Sequence, residues 1–342
     1  MQSTVLILGA NGCLGAALVS AFASAGWRVI AQTRPPIAAP NGKQHANVRW
    51  LHADMADATN ISAFTQLGPV QVVVHAVNPA YTRWATEAKP LLQTAINISL
   101  HYSATLMFPG NVYNFGAGMP YLLKENTLQQ PTSLKGGIRM DMEQQLEQAA
   151  KTHRLRSVIV RAGDYFGGGS GGVGGGSSGS WFDRWIAKDA PQGQMGYMGP
   201  SGVDTPWAYV PDLAQAFVQV AQRRTQLNTF ETLHFAGHQL RRQDWEQMMH
   251  KAAVQLGWLQ PQQALNMQPM PWGLIGSMAW ALPKWRELAE MRYLWLTPHA
   301  LEGKKLAQLV GKEPCTPIQD ALMTSLLQLY QPAPRGLVLS PA

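Results

Sequence analysis

Three glycines near the start of the chain, Gly9, Gly12 and Gly15, follow the apolar run 5–8 and precede a helical pattern at 16–25. We expect Gly9 to allow a tight turn, Gly12 to let a phosphate approach the backbone, and Gly15 to let the helix pack against the strand. The free N–H groups and positive dipole of the helix start would then face a pyrophosphate. The spacing is therefore typical of a dinucleotide site. The alternative is a tight strand–helix turn that binds no ligand.

A second group of residues with potential chemistry lies in the predicted helix at 131–151. Lys135, Arg139 and Glu143 are four residues apart, so they fall on one stripe of that helix. Gly136 and Gly137 follow the lysine, and glycines inside a helix cost roughly 1 kcal/mol each. They therefore favour a close approach of the backbone to another group. The alternative is that Lys135 is an exposed lysine on a solvated helix face.

The elements that must position these residues alternate along the chain. Apolar runs predict strands at 5–8, 27–34, 48–54, 70–77, 105–109, 158–164 and 233–236, with helices at 16–25, 90–100, 131–151 and a further one that ends near Arg223. Strands that alternate with helices form right-handed βαβ units. The sequence therefore predicts an α/β fold with a Rossmann-type, doubly wound parallel sheet.

The end of the second predicted strand indicates which dinucleotide binds. It carries Thr33 and Arg34 and no acidic residue. An arginine there suits a 2′-phosphate, whereas an acidic residue would suit the ribose hydroxyl of NAD. We therefore expect NADP(H) to be preferred, with NAD(H) possible. The alternative is that Arg34 is a surface residue in a loop.

Residues that follow the other strands would complete the site, because ligands bind beyond the carboxyl ends of such sheets. Asp54 would contact the adenine, and the loop at 78–84 would border the nicotinamide. The positions expected to bind the dinucleotide are Gly9, Asn11, Gly12, Cys13, Leu14, Gly15, Thr33, Arg34, Asp54, Met55, Ala76, Val77, Asn78 and Lys135.

We expect two domains and a tail. A dinucleotide-binding domain would span 1–164 and 205–236, a smaller and mainly helical substrate domain 165–204 and 237–331, and a disordered tail 332–342. Residues 167–180 are almost entirely Gly and Ser, which predicts a mobile loop, either a flap near the site or an inert insertion. An amphipathic helix would begin again at 181–186. The apolar stretch at 267–283 is interpreted as domain core or a subunit contact rather than a membrane-associated segment.

The composition restricts the partners. Lys and Arg number 27 against 20 Asp and Glu in 342 residues, a net charge of +7. The basic residues are scattered, which argues against nucleic acid and fits anionic small molecules. Cys13 and Cys315 form neither a disulfide framework nor a metal spacing, so a cytoplasmic, metal-free protein is expected. No apolar run reaches the roughly 20 residues of a membrane helix, so no membrane partner is expected.

These features together resemble the extended short-chain dehydrogenase/reductases of the NAD-dependent epimerase/dehydratase kind. The resemblance covers most of the chain and implies a Rossmann domain, an interleaved C-terminal substrate domain, a small-molecule substrate and, in many members, a homodimer. It rests on Gly9, Gly12, Gly15, Asp54, the strand into 75–79, Asn111-Val112-Tyr113, Glu143 and 209–212.

The catalytic residues of that family do not carry over. The family has Ser or Thr just before the Val-Tyr pair, where this sequence has Pro109, Gly110 and Asn111. It also has a Tyr-x-x-x-Lys motif, whose two positions are Lys135 and Arg139 here. The phenol that would transfer a proton is therefore missing.

The helix is more similar to that of the isoflavone-reductase-like and NmrA-like atypical reductases, which carry a lysine on it. The Lys-x-x-Ile-Arg pattern of the former matches residues 135–139, with Glu143 four residues further on. This resemblance implies that Lys135 is the proton-transfer group, helped by burial or by the charge of Arg139. Arg139 would alternatively anchor the nicotinamide ribose or pair with Glu143.

Three functions stay open on the sequence alone. The first is NADP(H)-dependent reduction of a small carbonyl or nucleotide-sugar-like substrate, with Lys135 as the proton donor. The second is an epimerase or dehydratase with relocated acid and base groups, and the third is a catalytically inactive NADP(H)-binding sensor. Asn111, Tyr81 and Trp84 would line the substrate pocket or pack in the core, and Tyr113 would pack beside the cofactor.

Overall fold

The structure, a computed structural model, describes residues 2–34, 45–57, 61–168 and 179–330. Its strands are β1 (Thr4–Leu8), β2 (Arg28–Thr33), β3 (Val48–His52), β4 (Val72–His75), β5 (Thr105–Gly110), β6 (Leu122–Leu123), β7 (Ser157–Arg161), β8 (Asp164–Phe166), β9 (Gln194–Tyr197), β10 (Asp204–Tyr209), β11 (Phe230–His234), β12 (His238–Arg241), β13 (Asn266–Pro269) and β14 (Ala300–Leu301). Its α-helices are α1 (Cys13–Ser24), α2 (Ile61–Thr65), α3 (Trp84–His101), α4 (Leu134–His153), α5 (Val210–Gln222), α6 (Arg242–Gln255), α7 (Trp272–Met278), α8 (Pro283–Glu290), α9 (Lys304–Val310) and α10 (Ile318–Tyr330).

The central sheet is parallel and has the strand order β11-β7-β5-β4-β1-β2-β3. The order reverses at β1, which lies between β2 and β4, so the crevice for a ligand opens at the carboxyl ends of β1 and β4. The predicted α/β, doubly wound Rossmann-type fold is therefore confirmed. The strand positions agree with the prediction, with ends that differ by a few residues.

The continuous apolar run in β1 is explained by burial on both faces of the sheet. Val5 and Ile7 pack in a core that contains the apolar sides of α1 and α5. Leu6 and Leu8 point to the opposite face and pack with α3 and α4. Since successive side chains of a strand alternate, only a sheet covered on both sides needs such a run.

A third core belongs to the C-terminal part of the chain and is rich in tryptophan and methionine. Three small sheets support it, with the strand orders β12-β10-β8, β13-β9 and β14-β6. The apolar stretch at 267–283 is divided, because Met270 and Ile275 are buried in this core whereas Leu274 and Trp280 are exposed. Across the described ranges, no helix is both long and apolar enough to cross a membrane.

Three helical predictions need correction. Helix α3 begins at Trp84 and not at Pro90, because Trp84 and Ala88 are buried against the sheet and the chain accommodates a proline inside the helix. Helix α1 begins at Cys13, directly after the second glycine of the triplet. The segment at 181–186 forms a five-residue π-helical turn, Phe182–Ile186.

Helix α4 begins at Leu134, where the side-chain oxygen of Ser133 accepts a hydrogen bond from the backbone N–H of Gly136. Gly136 and Gly137 therefore lie in the first turn and not in the middle of a helix. A Cβ atom on Gly136 would lie 2.5 Å from the carbonyl oxygen of Tyr113, so the predicted close approach exists at this glycine. A Cβ on Gly137 would meet no atom within 4 Å.

The predicted strand at 158–164 is in fact two strands in different sheets. β7 ends at Arg161, and β8 begins at Asp164 and pairs with β10. The division arises because the backbone at Gly163 is held against Pro206, where an added Cβ would lie 1.9 Å from the Pro206 carbonyl oxygen. Most of the Gly/Ser segment, 169–178, and the tail at 331–342 lie outside the described residues.

Candidate active site

The turn after β1 shows why two of the three glycines are required by the fold. Gly9 has φ +80°, and a Cβ there would lie 2.9 Å from the backbone of Ala76 and Val77. A Cβ on Gly15 would lie 2.1 Å from the carbonyl oxygen of Gly9. Gly9 thus makes the tight turn against the end of β4, and Gly15 lets α1 pack against the turn.

Gly12 is different, because the fold itself has room for a side chain there. Its backbone is extended, with φ −70° and ψ 165°, and a Cβ would come no closer than 3.4 Å to another atom. Gly12 is the residue that caps α1, so the N–H groups of Cys13, Leu14 and Gly15 are in the first turn, where a helix leaves its donors without internal partners. This opening has the form and polarity of an anion site.

Gln32 holds this turn in place and was missed by the sequence reasoning. Its buried side chain accepts a hydrogen bond from the N–H of Gly9 (2.8 Å) and donates one to the carbonyl oxygen of Ala53 (2.7 Å). The glycine turn is thereby tied to the ends of β2 and β3. The signal in the sequence is an amide that directly follows the apolar run at 29–31 of β2.

The tip of β2 carries the residues expected to select the dinucleotide. Thr33 is buried, and its hydroxyl accepts a hydrogen bond from the side chain of Asn11 at 2.5 Å. Arg34 is exposed at the end of the strand. Asp54 follows β3 and accepts a hydrogen bond from the N–H of Ala56 (3.0 Å). These side chains lie on the same edge of the sheet as the glycine turn.

The remaining positions expected at the dinucleotide differ in burial. Met55 is buried beside α3, and its carbonyl oxygen accepts a hydrogen bond from Thr94. Ala76 and Val77 are half-buried directly after β4, and Asn78 is exposed. Three of these four positions are therefore partly or fully covered by protein.

Lys135 lies in the first turn of α4 with its side chain only 3% exposed. Its ammonium is 3.2 Å from a carboxylate oxygen of Glu287, a residue of α8 whose side chain is 19% exposed. The interpretation of Lys135 as an exposed lysine is therefore wrong, because its side chain is buried and paired with Glu287. Glu287 could not be identified as the partner from the sequence, since the two residues lie in different parts of the chain.

Arg139 lies one turn further along α4, over the end of β5. One guanidinium nitrogen donates a hydrogen bond to the carbonyl oxygen of Pro109 (3.2 Å). The guanidinium carbon is 5.0 Å from the ring centres of both Trp84 and Phe108. Arg139 also adds positive charge beside the buried His75, whose pKa is lowered to about 3 mainly by burial. Arg139 is thus a fixed cation at the carboxyl edge of the sheet.

Glu143, the third residue of the stripe, pairs with Arg161 at 2.7 Å. Both side chains are almost fully buried, at 5% and 1% exposure. Gln129 also donates to the Glu143 carboxylate, and Arg161 donates to the backbone carbonyl of Asn111. This pair joins α4 to the end of β7 and fixes the loop after β5.

The loop residues proposed to line a pocket have distinct environments. Asn111 accepts a hydrogen bond from the N–H of Tyr113 through its side-chain oxygen (3.1 Å). Trp84 belongs to the core, where its indole N–H donates to the carbonyl oxygen of Pro79 (3.0 Å). The side chain of Tyr81 lies outside the described residues. Of the three, Trp84 is therefore a packing residue.

The family model for the NAD dependent epimerase/dehydratase family matches residues 5–233. The chain belongs to this family. No curated protein matches the chain in sequence.

Three solved structures show the fold that this family member shares. UDP-glucuronic acid 4-epimerase from Bacillus cereus, in complex with NAD, is 12% identical, with a TM-score of 0.72 over 96% of this chain and 99% of that chain. DesIV, a dTDP-glucose 4,6-dehydratase from Streptomyces venezuelae with NAD and TYD bound, is 13% identical, with a TM-score of 0.71 over 96% and 97%. The Bordetella bronchiseptica enzyme WbmH, in complex with NAD⁺, is 13% identical, with a TM-score of 0.71 over 97% and 99%.

In this epimerase/dehydratase family member, a short helical turn at Arg292–Trp295 connects the C-terminal part to the site. The hydroxyl of Tyr293 donates to the carbonyl oxygen of Tyr113 (3.2 Å), and burial raises the pKa of Tyr293 to about 12. The indole of Trp295 donates to the carboxylate of Asp164 (3.1 Å), and burial raises the pKa of Asp164 to about 6. Neither residue was identified from the sequence, because their partners are distant along the chain.

The described end of the Gly/Ser segment lies against the glycine turn of this family member. A Cβ on Gly168 would lie 2.0 Å from the sulfur of Cys13. Burial raises the pKa of the nearby Tyr165 phenol, and the positive charge of Arg139 acts in the opposite direction. The segment therefore leaves β8 at the start of α1. Among the described residues, no group of three His, Cys, Asp or Glu side chains could hold a metal ion.

Proposed function

We propose that the protein is an NADPH-dependent reductase of a small carbonyl or nucleotide-sugar-like compound, with Lys135 as the proton donor. The observation that carries this proposal is the position of Lys135: its ammonium is buried on the α4 stripe where the resemblance places the missing tyrosine, with Arg139 one turn away. A buried ammonium can donate a proton to an oxygen that develops negative charge.

The glycine turn supports a dinucleotide as the cofactor. The fold itself does not require glycine at position 12, because a side chain there would meet no close contact, and the N–H donors of the first turn of α1 lie next to this space. These groups fit a pyrophosphate. The three similar structures named above were solved with NAD, which agrees with a nicotinamide cofactor. When bound in its reduced form, the nicotinamide supplies the hydride for the carbonyl carbon.

Arg34 supports a preference for NADPH over NADH. It is exposed at the end of β2, where it can reach a 2′-phosphate. The neighbouring residue is Thr33, so no carboxylate is present here to bind the ribose hydroxyl of NADH. Arginine binds phosphate through charge-assisted, often bidentate hydrogen bonds.

The residues of α4 then have separate tasks. Lys135 Nζ donates one proton to the carbonyl oxygen as the alcohol forms, and regains a proton from solvent after product release. Arg139, fixed between Trp84 and Phe108, holds positive charge at the nicotinamide end of the crevice, where it can anchor the ribose. Asn111 is held by Arg161 through its carbonyl and lies on the loop beside this end.

The experiment is a comparison of Lys135→Ala with Lys151→Ala, a surface lysine on the same helix that pairs with Glu147. NADPH oxidation is followed by absorbance with a panel of aldehydes, ketones and 4-keto nucleotide sugars. We expect Lys135→Ala to lower kcat by about 10²–10⁴-fold, the usual contribution of a general acid, while the variant still binds NADPH in calorimetry. Unchanged turnover in Lys135→Ala would remove this lysine from the mechanism.

A second candidate function, a dinucleotide-binding sensor, is favoured by one observation. The ammonium of Lys135 is already paired with Glu287 and shielded from solvent, as in a purely structural ion pair. Tight NADPH binding by calorimetry, together with no oxidation of NADPH by any member of the carbonyl panel, would support the sensor over the reductase.

A further inference from the structure

The ion pair between Lys135 and Glu287 is unusual among those of the described residues. Most of these pairs lie at the surface, with at least one partner more than 40% exposed. Two pairs have both side chains less than one-fifth exposed: Arg161 with Glu143, and Lys135 with Glu287. The first joins elements of the central sheet and its covering helix, whereas the second joins α4 to the C-terminal helix α8.

Helix α8, the charged half of a helical hairpin, carries Glu287 to the site. The hairpin consists of α7 and α8, and its described exposed side chains include Leu274, Met278 and Trp280. Helix α8 also packs against the turn at Tyr81–Arg83, which follows β4. The Glu287 carboxylate is largely shielded from water, and a shielded carboxylate needs a cation beside it; here that cation is the Lys135 ammonium.

Three polar side chains lie near Lys135 at the start of α4. Ser133, which caps α4, lies two residues before Lys135, and Tyr293 lies beside Ser133 with its phenol held protonated. Arg139 lies one turn after Lys135 on the same face. The carboxylate of Glu287, 3.2 Å from the Lys135 ammonium, adds a negative charge to this end of α4.

We infer that Glu287 is a positioning residue for the proton donor, an inference that rests on the proposed function. Its carboxylate pairs with the Lys135 ammonium at 3.2 Å and directs the N–H groups of the ammonium that point away from it toward the substrate oxygen. No proton passes to Glu287: Lys135 gives its proton to the substrate oxygen and is reprotonated by solvent. The donor is therefore assembled from two parts of the chain, and it is complete only when α8 brings Glu287 to Lys135.

The first test uses turnover of the carbonyl substrate found in the panel above. Glu287→Gln retains the shape of the side chain without its charge, Glu287→Asp retains the charge, and Glu290→Gln is the control on the same helix. A misplacement of about 1 Å lowers the rate by about 10²-fold. We expect Glu287→Gln to lower kcat about 10²-fold with KM changed less than about threefold, Glu287→Asp to restore part of kcat, and Glu290→Gln to match the wild type.

The second test needs no substrate. A short pulse of acetic anhydride is followed by mass spectrometry of the peptide that contains Lys135, with Lys151 as the internal reference. We expect slow acetylation of Lys135 in the wild type and in Glu290→Gln, and at least about tenfold faster acetylation in Glu287→Gln, because the amine loses the carboxylate that shields it.

The outcomes separate this inference from the proposed function. Wild-type protein that turns over no carbonyl compound refutes the reductase, whatever the acetylation rates are. Equal acetylation of Lys135 in the wild type and Glu287→Gln, or an unchanged kcat of Glu287→Gln in an active enzyme, overturns the positioning role. If Glu287→Gln fails to fold by circular dichroism, the test passes to Glu287→Asp. Partial activity of folded Glu287→Asp, with acetylation of Lys135 as slow as in the wild type, supports the role of the charge. Acetylation of Lys135 as fast as that of Lys151 in this variant refutes it.

Discussion

Replacement of Gly12 by alanine distinguishes a glycine required by a ligand from one required by the fold. Two effects on stability oppose each other in Gly12→Ala. Alanine is a poorer N-cap than glycine by about 0.5–1 kcal/mol, while it restricts the unfolded chain and gains about 0.4–1 kcal/mol, since φ −70° suits alanine. The added Cβ contacts no atom closer than 3.4 Å. The free energy of unfolding should therefore change by less than about 0.5 kcal/mol.

The effect on binding should be larger. A pyrophosphate that lies against the backbone of Gly12 has no room for an added methyl group, and a misfit of this size costs about 1–3 kcal/mol. That energy corresponds to an affinity about 5- to 150-fold weaker. Calorimetric titration with NADPH gives the affinity, and thermal unfolding without the cofactor gives the stability.

Gly15→Ala is the matched control, because its Cβ would lie 2.1 Å from the carbonyl oxygen of Gly9. Both atoms belong to the backbone, so the strand–helix junction must shift, and we expect the free energy of unfolding to fall by at least about 1–3 kcal/mol. Gly12→Ala that binds NADPH with the affinity of the wild type would refute the assignment of this opening to a pyrophosphate.

Three further predictions concern other parts of the structure. Arg34→Ala should weaken NADPH binding by at least about tenfold in calorimetry and leave NADH unaffected, since a charge-assisted hydrogen bond contributes about 1.5–3 kcal/mol; equal losses for both would contradict the role of Arg34. Glu143→Ala should lower the free energy of unfolding in urea by about 3–5 kcal/mol, because the buried Arg161 loses its partner, and a loss below about 1 kcal/mol would argue against that pair. The pKa of Asp164 is raised to about 6, so its carboxylate destabilises the fold once it ionises, and stability is lost as pH rises through about 4 to 6. Asp164→Asn should therefore raise the free energy of unfolding by about 1–3 kcal/mol at pH 8 and by less at pH 5. No gain at pH 8 would contradict burial of the charge.

The central sheet could be predicted from the sequence because its signals are local. The run from Val5 to Leu8 is apolar at every position, and a sheet covered on both faces requires that. Gly9 and Gly15 have the backbone roles that their spacing indicates. The roles of Gly12 and Arg34 toward a dinucleotide stay predictions, because they concern a ligand and not the fold.

The contacts that shape the catalytic end could not be predicted, because they join distant segments. Glu287 reaches Lys135 from α8, in the C-terminal part of the chain, and Trp295 reaches Asp164 from a short helical turn. The three-stranded sheet of β12, β10 and β8 was missed as well. Its strands have only three to six residues, too few for a reliable alternation of apolar and polar side chains.

The order of segments along the chain has a consequence for how the protein can be divided. Strand β11, which completes the edge of the central sheet beside β7, and helix α5, which covers α1, both come after the first segment of the C-terminal core. A polypeptide cut after residue 204 therefore lacks the outer strand and exposes the side of α1 that packs against α5. During synthesis on the ribosome, the first sheet stays unfinished until residue 234 has emerged. A single cut cannot yield two independently folding halves.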